Sequence, residues 1–294
     1  MTAWKVLINP RAGDRYQLAD RTRDALTAYG LEADLESPDG ETLMQERTSA
    51  AMEAGWTHFA VVGGDGTLNV VVDALMRKTW AEPPTVALLP SGTGSDFART
   101  FALPQKIEEA AAHLVGERTY PVDVGLAEGS WGTRAFVNEV QAGLGAATAG
   151  IAERLPRRIG AAKYQVAFWS TLPRFASANV KVVAGRRSYE GPALAVVAAN
   201  GQFFGGGLNI APKASLRDGK LDIQAFAVGK RSAVPLFQKI KGGMHLGHRG
   251  VHRMQSTEVS IDSEIPWPVE ADGEPLGVTP LTARLIPNAL EFKI

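Results

Sequence analysis

Three short apolar runs in the first third of the chain constrain its fold more than any other feature. Each run is followed by a polar turn containing glycine and then by residues with helical spacing. Continuous apolar strands joined by helices are typical of a parallel sheet covered on both faces. We therefore expect an α/β domain at the start of the chain. The runs are residues 6–8, 59–62 and 86–89.

The segments between these runs carry an amphipathic helical pattern. One stripe of an amphipathic helix that ends at Gly30 is predicted from the helical spacing of Leu18, Thr22, Ala25, Leu26 and Tyr29. A second helix is predicted over residues 68–75, and residues 32–36 are a further candidate strand. The order strand, turn, helix is the pattern of repeated βαβ units.

From about residue 122 the pattern changes to short runs of period two. The turns Asp218-Gly219 and Asp272-Gly273 punctuate these runs, which is typical of antiparallel sheet. Two helical segments, at residues 161–175 and 232–241, interrupt the strands. We therefore expect a boundary near residues 120–125 and a β-rich second half.

Composition excludes several classes of function. Thirty-one Lys and Arg balance 31 Asp and Glu, so the whole chain does not attract polyanions, and we expect no nucleic-acid partner. The absence of cysteine excludes disulfides, Cys-ligated metals and thiol nucleophiles. The longest apolar runs, such as residues 193–199, are too short to cross a bilayer, and the first residues do not resemble a secretory signal. We expect a cytoplasmic protein without a transmembrane segment.

The polar turns after the three strands are the expected site of chemistry, because open parallel sheets bind ligands at the carboxyl ends of their strands. Glycines allow close backbone approach, and a helix N-terminus offers unpaired N–H groups to an anion such as phosphate. Alternatively, the glycines only close tight turns. The Walker loop is excluded because these turns contain no lysine, and Asn69 interrupts the dinucleotide fingerprint. The turns are residues 9–13, 63–69 and 90–96.

Asp65 is unusual because it places a carboxylate among groups suited to an anion. Such a carboxylate is a candidate base for an incoming hydroxyl or a candidate ligand of magnesium. Alternatively, it only caps the helix that begins near Thr67. Ser95 or Asp96 could likewise be the N-cap of a helix at Phe97.

These residues resemble the diacylglycerol kinase catalytic-domain family, in particular its bacterial soluble lipid kinases. The resemblance runs from residue 9 to about residue 274 in several blocks that keep their order. The blocks are Asn9-Pro10 with Gly13, Gly63 to Asn69, Pro90 to Thr93 with Asp96-Phe97-Ala98, Asn200-Gly201, Gly205 to Gly207, Asp218-Gly219 and Asp272-Gly273-Glu274.

The resemblance implies an ATP-dependent kinase that phosphorylates a lipid hydroxyl, in particular diacylglycerol or a related glycerolipid, in phospholipid biosynthesis. It implies a nucleotide-binding α/β domain over residues 1–122, similar to those of NAD kinases and phosphofructokinases. A β-sandwich domain over residues 123–294 would carry lipid-acceptor and metal elements, and its last strand would return to the first domain. ATP and Mg²⁺ are the implied cofactors.

Site residues are implied by the same resemblance. The catalytic carboxylates would be Glu274 with Asp272 beside it, facing Asp65 across a cleft. A structural magnesium site would map to Ser215, Asp218 and Lys220, the last through its backbone carbonyl. The residues implied at the nucleotide are Asn9, Pro10, Arg11, Ala12, Gly13, Ser37, Gly63, Gly64, Asp65, Gly66, Thr67, Leu68, Asn69, Gly92, Thr93 and Asp96.

The chain departs from the family pattern at a few positions. Ser37 stands where the family has threonine, and Ser95 stands where it usually has asparagine. Arg217 precedes Asp218 where another acid is common, which places a cation beside the implied metal site.

The residues alone leave alternative functions open. The glycine loop at Asp65 also occurs in NAD kinases, and a non-catalytic nucleotide-binding regulator would keep the same loops. A lipid acceptor requires contact with a membrane surface, for which two basic segments are candidates, residues 154–175 with Arg157 and Arg158, and residues 239–253. Edge strands in the second half could also pair two copies into a homodimer.

Overall fold

The chain divides into two compact units. The computed structural model describes residues 3–12, 17–91 and 95–294, without the side chains of residues 157, 158 and 161. Unit 1 comprises Met1–Val122 and Asn288–Ile294, and unit 2 comprises Asp123–Pro287. Within the described residues, every helix is too short or too polar to span a bilayer.

Unit 1 is built on a parallel sheet, as the alternating pattern predicts. The strand order is β2-β1-β3-β4, and the end of the last strand, β18, lies parallel beside β4. The elements are β1 (Trp4–Ile8), α1 (Leu18–Ala28), β2 (Ala33–Glu36), α2 (Glu41–Glu53), β3 (His58–Gly63), α3 (Asp65–Leu75), β4 (Thr85–Pro90), α4 (Asp96–Thr100), α5 (Ile107–Ala110) and the end of β18 (Leu281–Lys293).

Helices cover this sheet through apolar stripes. In α1, Leu18, Thr22, Ala25 and Leu26 of the predicted stripe are buried. The prediction is wrong for Tyr29, which follows the last residue of the helix and is exposed. The side chains of α3 are buried without a break from Thr67 to Leu75, so this helix is a core element rather than a surface one. Its fixed position sets the direction of the loop that precedes it.

Unit 2 is a β-sandwich. One sheet has the order β14-β13-β10-β7-β16-β17, and the other joins the first part of β18 to β15, β8 and β9, with β5 and β6 beside β18. The strands are β5 (Thr119–Gly129, beginning in unit 1), β6 (Gly132–Phe136), β7 (Glu139–Gly143), β8 (Ala178–Ala184), β9 (Arg187–Ala193), β10 (Ala195–Ala199), β13 (Leu221–Phe226), β14 (Val251–Ser256), β15 (Glu258–Ser263), β16 (Pro268–Ala271) and β17 (Glu274–Val278), with the short hairpin β11 (Phe203–Phe204) and β12 (Leu208–Asn209).

Strand β10 contributes apolar side chains to the hydrophobic clusters on both of its faces. Its alternate residues Val196 and Ala198 join the core that holds side chains of both sheets. The intervening Val197 and Ala199 join a second cluster with side chains of three helices. These helices are α6 (Leu144–Arg154), α7 (Lys163–Thr171) and α8 (Lys230–Lys241). The fold class expected from the sequence, an α/β unit followed by a β-sandwich, is confirmed.

Candidate active site

The three glycine-containing loops of unit 1 begin at one edge of the parallel sheet. Residue pairing places Ile8 beside Val62 and Gly63 beside Pro90, so β1, β3 and β4 end at the same level. The pairing continues one residue into the loops, because Asn9 N donates to Val62 O and Ser91 N donates to Gly63 O. Residues distant in sequence are thereby brought to one edge.

Asn9 joins the first loop to the second. Its side-chain Nδ2 donates to Thr67 Oγ1 at 2.9 Å, and its Oδ1 accepts from Arg11 N at 2.9 Å. Glycine is required at position 63 because an added Cβ would lie 2.5 Å from Thr67 Oγ1. The Asn9 side chain therefore holds both loops in a fixed relation.

Asp65 joins the second loop to the third. Its carboxylate accepts hydrogen bonds from Ser95 Oγ at 2.5 Å, from Asp96 N at 2.6 Å and from Phe97 N at 3.1 Å. These donors form the start of α4, where a carboxylate also interacts favourably with the helix dipole. The interpretation of Asp65 as a cap of the helix at Thr67 is wrong, because Asp65 serves the next helix instead. Ser95 is the N-cap of α4, since its Oγ accepts from Ala98 N.

Burial raises the pKa of the Asp65 carboxyl above its ordinary value, while the bonds from Ser95, Asp96 and Phe97 and the charge of Arg99 act in the opposite direction. Both of its oxygens accept hydrogen bonds. This geometry suits a carboxylate that fixes loops.

Beside this braced edge, the N-terminus of α3 offers open backbone N–H groups. Gly64 is the N-cap of α3, and no side chain caps it. A Cβ added at Gly64 would meet no atom within 4 Å. The first turn of α3 is therefore open to a ligand with phosphate groups, and the residues present fit a nucleotide.

The other residues implied at the nucleotide occupy distinct environments. Ser37 is exposed directly after β2, and Arg11 pairs with Asp39 at 2.6 Å. Pro10 and Ala12 lie half-buried in the first loop, Gly66 lies half-buried in α3, and the side chains of Leu68 and Asn69 are buried within unit 1. Gly13, Gly92 and Thr93 lie outside the described residues.

The turn expected to hold magnesium is fixed from inside unit 2. Asp123, a buried carboxylate, accepts from Gly219 N at 2.7 Å, and its own N donates to Leu216 O at 2.6 Å. Exposed Asp218 accepts from Lys220 N at 3.1 Å. Sequence reasoning missed Asp123, although a carboxylate inside the apolar strand β5 was a visible signal.

The donor set of this turn fits the implied magnesium site. The described residues contain no cluster of three His, Cys, Asp or Glu side chains that could hold a metal ion. One carboxylate at Asp218 together with backbone oxygens at Ser215 and Lys220 is nevertheless an oxygen-donor set that hard cations accept.

Asp272 lies in the turn between β16 and β17 with a positive φ of 47°. Its carboxylate accepts from three consecutive backbone N–H groups, those of Val137 at 2.7 Å, Asn138 at 2.8 Å and Glu139 at 3.0 Å. Asp272 therefore ties the turn to the start of β7. Glu274, the first residue of β17, is half-buried two residues further on.

Two further carboxyl groups behind this turn were missed by sequence reasoning. Glu139 and Glu270 are both buried in the sheet of unit 2, and Gln141 Nε2 donates to both of them, at 3.3 Å to Glu139. Glu270 also accepts from Gly273 N at 2.6 Å, inside the Asp-Gly-Glu turn. The only sequence signal was the presence of acids in apolar strands.

Burial and the charge of Glu270 raise the pKa of Glu139 well above its ordinary range. Burial raises the pKa of Glu270 to about 7, against the hydrogen bonds that it accepts. The pair therefore holds a proton at pH values where isolated carboxyls have lost it.

An apolar cavity of about 70 Å³ lies beside this cluster in unit 2. Side chains of α7, α8, β10 and β13 line it, and the polar groups at its wall are those of Gln141 and Tyr164. Gly145 is needed here because an added Cβ would lie 1.6 Å from Gln141 Oε1. Apart from these two side chains, the wall of the cavity is apolar.

An α/β unit with interlocked glycine loops at one sheet edge is followed by a β-sandwich unit. Comparison with known families identifies both units. Residues 3–127 match the diacylglycerol kinase catalytic domain, and residues 138–293 match the YegS C-terminal NAD kinase beta sandwich-like domain. The chain therefore belongs to the diacylglycerol kinase family and is a kinase. The resemblance seen in its motifs is confirmed.

Relatives and solved structures agree with this assignment. The chain is 31% identical over 276 residues to "Probable lipid kinase YegS-like" of Pseudomonas putida, covering 92% of this chain and 87% of that protein. It is 30% identical to the protein of the same name in Pseudomonas aeruginosa, covering 92% and 86%. A crystal structure titled as a diacylglycerol kinase from Bacillus anthracis shares the fold with a TM-score of 0.75 at 23% identity, covering 99% of this chain and 96% of that one.

Proposed function

We propose that this kinase transfers the γ-phosphate of ATP to a hydroxyl group of a lipid, in particular diacylglycerol or a related glycerolipid. The observation that carries the proposal is the edge of unit 1 where Asn9–Thr67 and Asp65–Ser95 lock three loops beside the open N-terminus of α3. Phosphoryl transfer depends mainly on alignment and on stabilisation of charge, and fixed loops with backbone donors supply alignment.

The apolar cavity of unit 2 supports a lipid acceptor. A soluble acceptor such as NAD offers polar groups to its site, whereas this cavity is lined by apolar residues and Gly145 apart from Gln141 and Tyr164. Two relatives carry the name "Probable lipid kinase YegS-like", which supports the same substrate class.

The hydrogen bonds suggest a division of roles among the three candidate carboxylates. Asp65 and Asp272 each accept three hydrogen bonds, so we assign them to holding loops. Glu274 begins β17 directly after the turn that Asp272 and Glu270 hold. We assign Glu274 as the base that accepts the proton of the lipid hydroxyl.

A magnesium ion supplies neutralisation of phosphate charge when it is bound with ATP, and a structural ion would be held by Ser215, Asp218 and Lys220. The chain's own contribution is the rigid turn at residues 215–220, which Asp123 fixes. With these groups in place, the chain orients the nucleotide in unit 1 and the acceptor hydroxyl in unit 2.

The proposal is tested by transfer of labelled γ-phosphate from ATP with magnesium to diacylglycerol, ceramide, sphingosine, phosphatidylglycerol and NAD. We expect a labelled glycerolipid, formed by the wild type and by the exposed-surface control Glu190→Gln. Labelled NAD alone would show an NAD kinase. ATP binding without transfer to any acceptor would favour a non-catalytic regulator, and either result would overturn the proposal.

A further inference from the structure

Helices α7 and α8 pack against each other as an antiparallel pair on the outside of the sandwich. At one end, Lys230 Nζ donates to Pro173 O at 2.8 Å, and at the other end Lys241 Nζ donates to Gln165 Oε1 at 3.2 Å. Between these contacts, Phe237 stacks on Phe168 with ring centroids 4.3 Å apart. The structure therefore joins the two basic segments that the sequence offered as separate membrane candidates into one surface.

Four large apolar side chains are exposed on or beside these two helices. The exposed fractions are 46% for Val166, 40% for Trp169, 44% for Val234 and 72% for Met244. Val166 and Trp169 are three residues apart in α7 and share a face of that helix. Trp169 also contacts Phe237 of α8 with ring centroids 5.5 Å apart. We call these four residues, with the cations of α8, the α7–α8 face.

The α7–α8 face is strongly basic although the chain as a whole has no net charge. Residues 154–189 and 223–257 contain no Asp or Glu. Lys230, Arg231, Lys239 and Lys241 are exposed, and none of them forms an ion pair with a described residue. The positive charge of the face is therefore open to an external anion.

Apolar residues within a basic surface fit the headgroup region of an anionic bilayer better than other partners. Trp and Met side chains enter the boundary between headgroups and acyl chains, while lysines contact lipid phosphates. A second copy of this chain would bring two positive faces together, which is unfavourable. A nucleic acid would use the lysines but would leave the exposed Val166, Val234 and Met244 without a partner.

The apolar cavity lies directly beneath this pair of helices. Tyr164 and Phe168 of α7 and Leu236 and Phe237 of α8 line it. A lipid that leaves the bilayer at the α7–α8 face would therefore reach the cavity by passing between the same two helices.

We propose that the α7–α8 face docks on anionic membrane surfaces, with Trp169 and Met244 at the acyl boundary and the α8 lysines on lipid phosphates. The inference rests on the proposed function, because a lipid kinase must reach an acceptor held in a bilayer. Docking delivers the acceptor to unit 2 without a membrane-spanning segment.

The test is co-sedimentation of the full chain with vesicles of phosphatidylcholine and phosphatidylglycerol in a two-to-one ratio, and with vesicles of phosphatidylcholine alone. We expect binding to the mixed vesicles, lowered by at least about tenfold in the double variant Lys239→Glu/Lys241→Glu. The double variant Val166→Ser/Met244→Ser should also weaken binding. The control Arg186→Glu/Arg187→Glu makes the same charge change at the β8–β9 turn and should bind as the wild type does.

A second assay separates docking from catalysis. Activity on a short-chain acceptor dispersed without a bilayer should be unchanged in both face variants. If the wild type phosphorylates this acceptor but all variants bind vesicles equally, docking by this face is wrong and the proposed function stands. If binding depends on the face but the wild type phosphorylates no lipid, the proposed function is wrong instead. Binding of RNA by the face without binding of vesicles would also overturn the inference.

Discussion

Asp272 and Glu274 are two residues apart, and we propose different roles for them. Asp272 accepts three backbone N–H groups from residues 137–139, whereas Glu274 begins the following strand. In unit 1, Asp65 resembles Asp272, because its carboxylate also accepts three hydrogen bonds. At the residue scale, we therefore assign Asp65 and Asp272 to holding loops and Glu274 to the proposed reaction.

Replacing Asp272 by alanine should destabilise unit 2. The change leaves the N–H groups of Val137, Asn138 and Glu139 without their acceptor, and each lost bond to a charged group costs about 1.5–3 kcal/mol. We expect a loss of at least about 2 kcal/mol in the free energy of unfolding, measured by urea denaturation. Glu274→Gln is the matched variant and should unfold as the wild type does, and equal stability of all three proteins would contradict the bracing role.

The buried pair Glu139 and Glu270 predicts a pH dependence of stability. Burial raises the pKa of Glu270 from 4.5 to about 7 in the folded state, and it also raises that of Glu139 well above its ordinary range. The unfolded chain therefore loses these protons at a lower pH than the folded chain. The stability that the pair contributes is fully present below pH 4.5 and falls as the pH rises toward 7.

Urea unfolding between pH 5 and pH 8 measures this slope. We expect Glu270→Gln to reduce the fall and Glu139→Gln/Glu270→Gln to reduce it further. Glu190→Gln changes an exposed carboxyl and should keep the wild-type slope. A slope that is identical in all four proteins would show that the pair does not hold its proton.

At the scale of elements, the two adjacent glycines before α3 differ in the space around them. A methyl group at Gly63 would lie 2.5 Å from Thr67 Oγ1, whereas one at Gly64 would meet no atom within 4 Å. We expect Gly63→Ala to lower the Tm through the displaced Asn9–Thr67 bond, and Gly64→Ala to keep the Tm but weaken ATP binding by at least about tenfold. Thermal unfolding and isothermal titration measure the two effects, and tight ATP binding by Gly64→Ala would move the nucleotide away from this loop.

The order of these elements could be predicted because the local periodicity of apolar residues distinguishes strands from helices. Continuous apolar runs such as residues 59–62 became parallel strands, and the pattern from Leu18 to Leu26 became the buried stripe of α1. The helix predicted over residues 161–175 is shorter, since α7 comprises Lys163–Thr171. A 3₁₀ segment precedes it, and Pro173, which has no N–H for a helical hydrogen bond, follows its end.

Contacts between distant elements could not be predicted in the same way. Nothing local shows that Asp65 accepts from α4, that Glu270 lies beside Glu139, or that α7 packs against α8. These contacts depend on strand order and sheet pairing, which single-sequence patterns leave undetermined. The motifs therefore located the loops of the candidate site, while the structure identified which carboxylates brace them.

At the scale of the whole molecule, two strands contribute residues to both units. Strand β5 begins in unit 1 and continues in unit 2, and β18 pairs with β15 in unit 2 and with β4 in unit 1. Unit 1 carries the interlocked loops, and unit 2 carries the Asp-Gly-Glu turn, the apolar cavity and the α7–α8 face. The proposed reaction requires both units, because the nucleotide and the acceptor are assigned to different ones.

The proposed transfer of phosphate to a lipid, with Glu274 as the base, is most directly tested by comparing the wild type with Glu274→Gln. Two quantities are measured, the rate of phospholipid formation from ATP and diacylglycerol and the ATP affinity by titration. We predict that Glu274→Gln lowers kcat by at least about a hundredfold, the range expected for loss of a general base, while ATP affinity stays within about twofold. An unchanged kcat in Glu274→Gln, or no phospholipid from the wild type, would contradict the account.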